Sequence, residues 1–227
     1  MIKRGTLIRM TDNAQSALEV PAYGVVQAAH YVGLPYATLR SWVGPTGLLT
    51  TPEPNVLSFS NLAEAHVLKS MRRIHRLSLQ SIRKALSELS TIRKTAHPLL
   101  DENFGTDGVD LCLIEEDRVF NLNKKLQAEI REFVALYLER IERSNGYASK
   151  LYPFVARDDA SEPRHVSISP VISFGRPVLA GTGIATAVIA GRFASRDSVH
   201  DLAREYGVAE GVLEDAIRWE MLKGKAA

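Results

Sequence analysis

The stretch from Ala28 to Trp42 constrains this chain more than any other. It reads as a helix, a tight turn and a second helix. A small residue, Ala29, stands four places before Gly33. A helix–turn–helix needs both, because the two helices cross closely and the turn wants a residue that tolerates positive φ. The first helix is expected from about Val25 to Gly33 and the second from about Pro35 to Trp42, with proline tolerated in the first turn. Leu39 and Trp42 fall on the buried side. Tyr36, Thr38, Arg40 and Ser41 are left on the face that such a motif turns to a DNA groove.

Charge is arranged to match. The 227 residues carry a formal net charge of only +2. Residues 1–95 hold 12 Lys/Arg against 5 Asp/Glu, an excess of +7, whereas residues 96–150 hold 7 against 11 and residues 151–227 hold 9 against 10. Positive charge gains affinity for a phosphate backbone by releasing counterions, so the basic end is the one expected to meet nucleic acid. Cys112 is the one cysteine, which excludes a disulfide framework and fits a reducing compartment. The chain opens with no signal-peptide pattern and contains no spanning apolar run, so a cytoplasmic location without a membrane partner is expected.

Three regions follow from composition and periodicity: residues 1–95, 96–160 and 161–227. Residues 1–20 read as an arm or an edge strand. Residues 44–58 are rich in Gly and Pro and stand where a wing would follow a recognition helix. Asn61 and Glu64 have the spacing of a capping box. The helix after them places Leu68, Met71 and Ile74 on one side and Lys69, Arg72, Arg73 and Arg76 on one face. Ser78 is placed to cap a further helix with the stripe Leu79, Ile82, Ala85, Leu86 and Leu89. Val109–Leu122 reads as two apolar runs around a solvated acidic turn at Glu115-Glu116-Asp117, that is, a hairpin with Cys112 buried in a strand. A long helix is expected over Leu126–Ile141, stopped by Ser144-Asn145-Gly146. Residues 157–163 read as a linker.

The last region repeats the opening theme. Short strands are expected at Val166–Ile168 and Val178–Leu179, then helices near 186–193, 198–206 and 209–222. Ala203 and Gly207 reproduce the spacing of Ala29 and Gly33, and Leu213 follows Gly207 as Leu39 follows Gly33. The residue after that leucine is Arg40 in the first copy and Glu214 in the second. From Asp197 to Glu220 seven carboxylates face only Arg204 and Arg218, a surface that phosphate would avoid. A protein is the expected partner there. The fold class is mainly α with short β elements: an N-terminal winged helix–turn–helix, a central α+β segment and a small C-terminal helical unit.

The pattern Tyr23-Gly24-Val25-Val26-Gln27-Ala28-Ala29, Gly33-Leu34, Thr38-Leu39-Arg40-Ser41-Trp42 and Leu77-Ser78-Leu79 with Ile82 resembles the DNA-binding domain of the MerR family over roughly residues 23–90. The resemblance implies that Tyr36 and Arg40 reach DNA from the recognition helix and that Arg72 or Arg73 reach it from outside. Gly175-Arg176-Pro177-Val178-Leu179-Ala180-Gly181-Thr182 looks like the opening of the domain of unknown function 433, over about residues 165–220. Such domains often occur in antitoxins paired with a PIN-like ribonuclease, and the two markers together resemble VapB-type antitoxins. The chain departs from the MerR plan after the DNA-binding domain. An α/β segment takes the place of one long dimerisation helix.

No nucleophile, base and orienting group can be assembled from spacing, so no catalytic residue and no enzyme activity are expected. The six histidines lack zinc-ligand spacing, and the glycines from Gly175 to Gly183 lack a phosphate-loop pattern, so no metal or cofactor is expected. Gly175, Gly181 and Gly183 read instead as turn residues, and Trp219 as a core residue. The expectation is a non-enzymatic homodimer that binds its own operator DNA and silences a PIN-like toxin ribonuclease. Arg218, Lys223 and Lys225 are placed to pair with the acidic site of such a toxin. The alternative is a one-component transcription regulator whose residues 96–160 hold an effector.

Overall fold

Helix Phe59–Arg73 runs through the middle of the molecule, and from Phe59 to Met71 only Lys69 is less than fully buried. The computed structural model describes residues 16–44, 47–73, 77–120 and 124–222, with the side chains at 73, 119 and 120 outside the description. Among the described residues the elements run β1 (Tyr23–Gly24), α1 (Val25–Val32), α2 (Tyr36–Trp42), β2 (Val56–Leu57), α3 (Phe59–Arg73), α4 (Leu79–Arg93), α5 (Val109–Phe120), α6 (Lys124–Leu138), β3 (Ile141–Ser144), β4 (Tyr147–Leu151), β5 (Val166–Ser167), β6 (Val178–Leu179), α7 (Thr186–Ala194), α8 (Val199–Tyr206) and α9 (Glu210–Met221). The chain is mainly helical, with three antiparallel pairs, β1–β2, β3–β4 and β5–β6.

Local chemistry sets the helix starts. Ser58 N–H donates to Asn61 Oδ1 and Asn61 N–H donates to Ser58 Oγ, both at 3.2 Å. This reciprocal box opens α3 one turn before the Asn61/Glu64 box expected from the sequence. Glu64, freed from capping, is buried deeper along the helix. Ser78 caps α4 as expected, its Oγ accepting from Ser81 N–H at 3.0 Å. The Glu116 carboxylate adds a second cap by accepting from Ser78 N–H at 2.8 Å.

That last contact corrects the central segment. Val109–Phe120 is a helix, α5, rather than a hairpin. Val109, Cys112, Leu113 and Glu116 share its buried face against α4, while Ile114 points out. Short apolar runs do not separate strand from helix by periodicity alone, and here the 3.6 period wins. The acids are not a solvated turn. Glu115 pairs with Lys84 at 2.6 Å and with Arg118, and Glu116 is fully buried. Cys112 is buried as expected, but on a helix. Burial first, then the Glu116 and Glu115 charges, push its thiol up to about 12.

The long helix α6 ends at Leu138, earlier than expected, and Ile141 begins a strand. Asn145 and Gly146 have φ of 52° and 82° and link β3 to β4. Two positive φ values at Asn-Gly define the hairpin turn that suits the right-handed twist of strands. Residues 157–163 are not a loose linker either. Glu162 accepts from the N–H groups of Val155, Ala156 and Arg157 at 2.9, 2.8 and 3.2 Å.

One apolar cluster runs from Leu18 to Ile168 and takes in Trp219; a smaller one holds Leu179, Ile189, Leu202, Leu213, Ala216 and Ile217. Residues 16–95 and 96–160 thus share a core, while the C-terminal helices have their own. Trp219 and Gly175 make contacts that help to join these bodies. The Trp219 ring lies 5.3 Å from the His30 ring and 6.4 Å from the Tyr31 ring. Gly175, at φ 76°, sits so close to Tyr23 that a Cβ there would stand 2.3 Å from the phenolic oxygen. Only glycine combines that φ with that approach.

Candidate functional site

The first helical pair has the expected geometry. Gly33 adopts φ 65° and ψ 44°, and Leu34 N–H donates to Ala29 O at 2.8 Å. Leu39 and Trp42 are buried. Tyr36, Arg40 and Ser41 are exposed, and Thr38 is half-buried. Ser41 Oγ donates to Thr38 O at 2.7 Å, and Arg40 Nη1 reaches Val43 O at 3.4 Å, a long contact that leaves its head in solvent. All four sequence-nominated side chains therefore lie on α2, and none is part of the core. The segment expected as a wing returns through a bridge between Val43 and Leu49 to β2, which pairs with β1 beside the start of α1.

The expected cationic face of α3 divides. Lys69 turns inward. Its ammonium lies 3.4 Å from Asp158 and 5.8 Å from the centre of the Tyr137 ring. Tyr137 Oη donates to the same carboxylate, at 2.5 Å from Asp158 Oδ2. Arg72 Nη1 donates to Leu77 O at 3.1 Å, which ties the end of α3 to the start of α4. The Arg73 side chain and Arg76 lie outside the described residues.

The second pair, α8 and α9, copies the first in backbone. Gly207 adopts φ 66° and ψ 33°, Val208 N–H donates to Ala203 O at 3.1 Å, and Leu213 is fully buried. Its surface differs. Glu210 and Glu214 are exposed, and Glu210 pairs with His200 at 2.8 Å. Arg218 is exposed but paired with Asp215, which also holds His165 at 2.7 Å. Lys223 and Lys225 lie outside the described residues.

Two polar clusters were not legible in the sequence. His97 bridges two carboxylates, Nδ1 to Glu64 at 2.8 Å and Nε2 to Glu19 at 2.9 Å. Burial works against its charge, yet the hydrogen bonds and charges of Glu19 and Glu64 push His97 from 6.5 up to about 10. Glu64 is pulled up by burial despite that partner. The second cluster is Lys69 with Asp158, at the edge of a cavity of about 800 Å³ lined by the Gly33–Ala37 turn, residues 154–156 and α9. His66 lies nearby, against the rings of Tyr137 and Phe154, and burial drives it down to about 3, so it is neutral. Each cluster joins residues more than 30 positions apart, beyond any periodic signal.

Among the described residues no helix is long and apolar enough to cross a membrane. Residues 166–219 match the family described as "Protein of unknown function (DUF433)". That stretch begins at β5, contains the Gly175–Gly183 turn and ends at Trp219. Across most of its length the chain is similar to the protein named "Putative antitoxin VapB45" of Mycobacterium tuberculosis (strain ATCC 25618 / H37Rv), at 26% identity covering 88% of this chain and 93% of that one. It is similar in structure to Rv2018 from Mycobacterium tuberculosis, solved by X-ray crystallography, with a TM-score of 0.70 and 26% identity over 88% of this chain and 99% of that one.

Proposed function

We propose that this protein is the antitoxin of a toxin–antitoxin pair, a non-enzymatic binding protein with two macromolecular faces. The similarity, over 88% of this chain, to a protein named as an antitoxin supports the role. The observation that carries the division of labour is the pair of matching helical turns with opposite surfaces. On the first, α2 presents Tyr36, Thr38, Arg40 and Ser41 from the basic end of the chain. We assign it to operator DNA, in the manner of a MerR-like winged helix–turn–helix, acting as a homodimer on two half-sites.

The second pair is assigned to the toxin. Its exposed carboxylates disfavour a phosphate backbone. The proposed toxin is a PIN-like ribonuclease with an acidic, metal-holding site, and Arg218, Lys223 and Lys225 supply cations to it. Co-expression with the product of the adjacent open reading frame tests this directly. The two proteins should copurify, and the partner's ribonuclease activity should be inhibited by the full chain. Loss of inhibition on removing residues 218–227 supports the C-terminal assignment. Full inhibition without them excludes it, and an adjacent product that neither binds nor cleaves RNA excludes the antitoxin reading.

A further inference from the structure

The cavity beside the first helical turn has the features of a built ligand site. Its volume, about 800 Å³, is within the usual span for small-molecule sites. Its walls are mostly apolar and partly aromatic, with Leu34, Phe154 and Trp219 among them. Two opposite charges meet at its edge. The side chains of Lys69 and Asp158 are 15% and 8% exposed and stand 3.4 Å apart. One wall is the Trp219 side chain, itself 2% exposed.

We propose that this cavity binds a small, flat, uncharged aromatic molecule bearing an amide-like head, a carbonyl beside an N–H. The charge pair sets the head. An anion approaching Lys69 meets Asp158, and a cation approaching Asp158 meets Lys69, so either brings one repulsion into a poorly solvated place. A neutral head with adjacent acceptor and donor satisfies both, its carbonyl accepting from the Lys69 ammonium and its N–H donating to Asp158. The aromatic walls, Trp219 among them, take a flat body. The site stands independently of the antitoxin reading, which assigns no small molecule. Its position gives it consequence, because the Gly33–Ala37 wall leads straight into α2, and a ligand there favours whichever setting of that helix it fits.

Three probes of one shape test the charge logic on the full-length protein: 1-naphthamide, 1-naphthoate and 1-naphthylmethylamine. At about 0.3 kcal/mol per heavy atom such probes bind near the millimolar range, which suits detection by nuclear magnetic resonance. The expected result is a saturable shift of the Trp219 indole N–H signal with naphthamide, with the Trp42 signal still. Binding of the two charged probes should be about tenfold weaker, the order expected for one unfavourable buried charge contact. Ala37→Phe, a change at an exposed position on the cavity wall, should abolish the shift without lowering the thermal midpoint. Asp158→Asn should move the preference to naphthoate, and Lys69→Met should move it to the amine. No saturable shift of the Trp219 signal with naphthamide, or equal binding of all three probes to the wild-type protein, overturns the proposal.

Discussion

The helical pairs α1–α2 and α8–α9 share a backbone and differ in everything that a partner would touch. Both turns use a glycine near φ 65°, and both bury the leucine six places later. The first presents Arg40 after that leucine, and the second presents Glu214. Their surroundings differ too. A Cβ on Gly33 would meet Lys69 Nζ at 3.2 Å, whereas one on Gly207 would meet nothing within 4 Å. The turn geometry therefore specifies a scaffold and not a ligand; on the proposed function, partner choice rests on side-chain charge and on what the turn is packed against.

The comparison can be broken at several places, the largest effect first. Trp219→Ala removes the ring by which α9 packs on α1, and a cost of about 3–5 kcal/mol is expected in chemical denaturation. A loss much smaller than that would mean that the two units do not depend on each other through this contact.

The histidine–carboxylate pairs give the next contrast. His97 is half-buried between the buried Glu64 and the exposed Glu19, whereas His200 pairs with Glu210 at the surface. Removing one partner of a buried pair leaves a charge uncompensated, so His97→Ala is expected to cost about 3 kcal/mol near pH 6. The sign follows from the raised value of His97, from 6.5 to about 10. Its contribution is complete below pH 6.5 and disappears as pH rises through 10, so wild type and variant should converge in alkaline denaturation curves. His200→Ala should leave the midpoint unchanged. A gap that instead widens with pH would contradict the protonated His97.

The turns themselves come third. Gly33→Ala and Gly207→Ala both force alanine into the left-handed region, at about 1–2 kcal/mol each. Gly33→Ala should cost more, because Lys69 is held by Asp158 and cannot step aside freely. Equal melting points for the two variants would show that the packing around Gly33 yields.

Much of this scaffold was legible in the sequence, and the reasons for the failures are specific. The two glycine turns, the buried Leu39 and Trp42, the Ser78 cap, the strands at Val166 and Val178 and the three C-terminal helices each carry a local signal. Glycine at positive φ and a helical stripe are short-range features. The α5 segment misleads because short apolar runs suit strand and helix alike, and Asn145-Gly146 can stop a helix as well as turn a hairpin. Lys69 shares its helical spacing with three other cations, and its partner, Asp158, stands 89 positions away in a segment with a linker-like composition. The cavity and the His97 bridge were invisible for the same reason: they exist only where distant segments meet. The outward side chains on α2 were predictable precisely to the extent that helical phase is local.

The central claim is that charge, on a repeated backbone, decides which helical pair meets DNA. Its most direct test is the affinity of the full-length protein for duplex DNA from upstream of its own gene, measured over a range of salt for wild type, Arg40→Ala and Arg218→Ala. Arg40→Ala should weaken binding by about 1–3 kcal/mol if it reads a base edge, or flatten the salt slope by about one if it meets phosphate, while Arg218→Ala changes neither. Equal losses from the two variants, or unaltered binding by Arg40→Ala, would contradict the account.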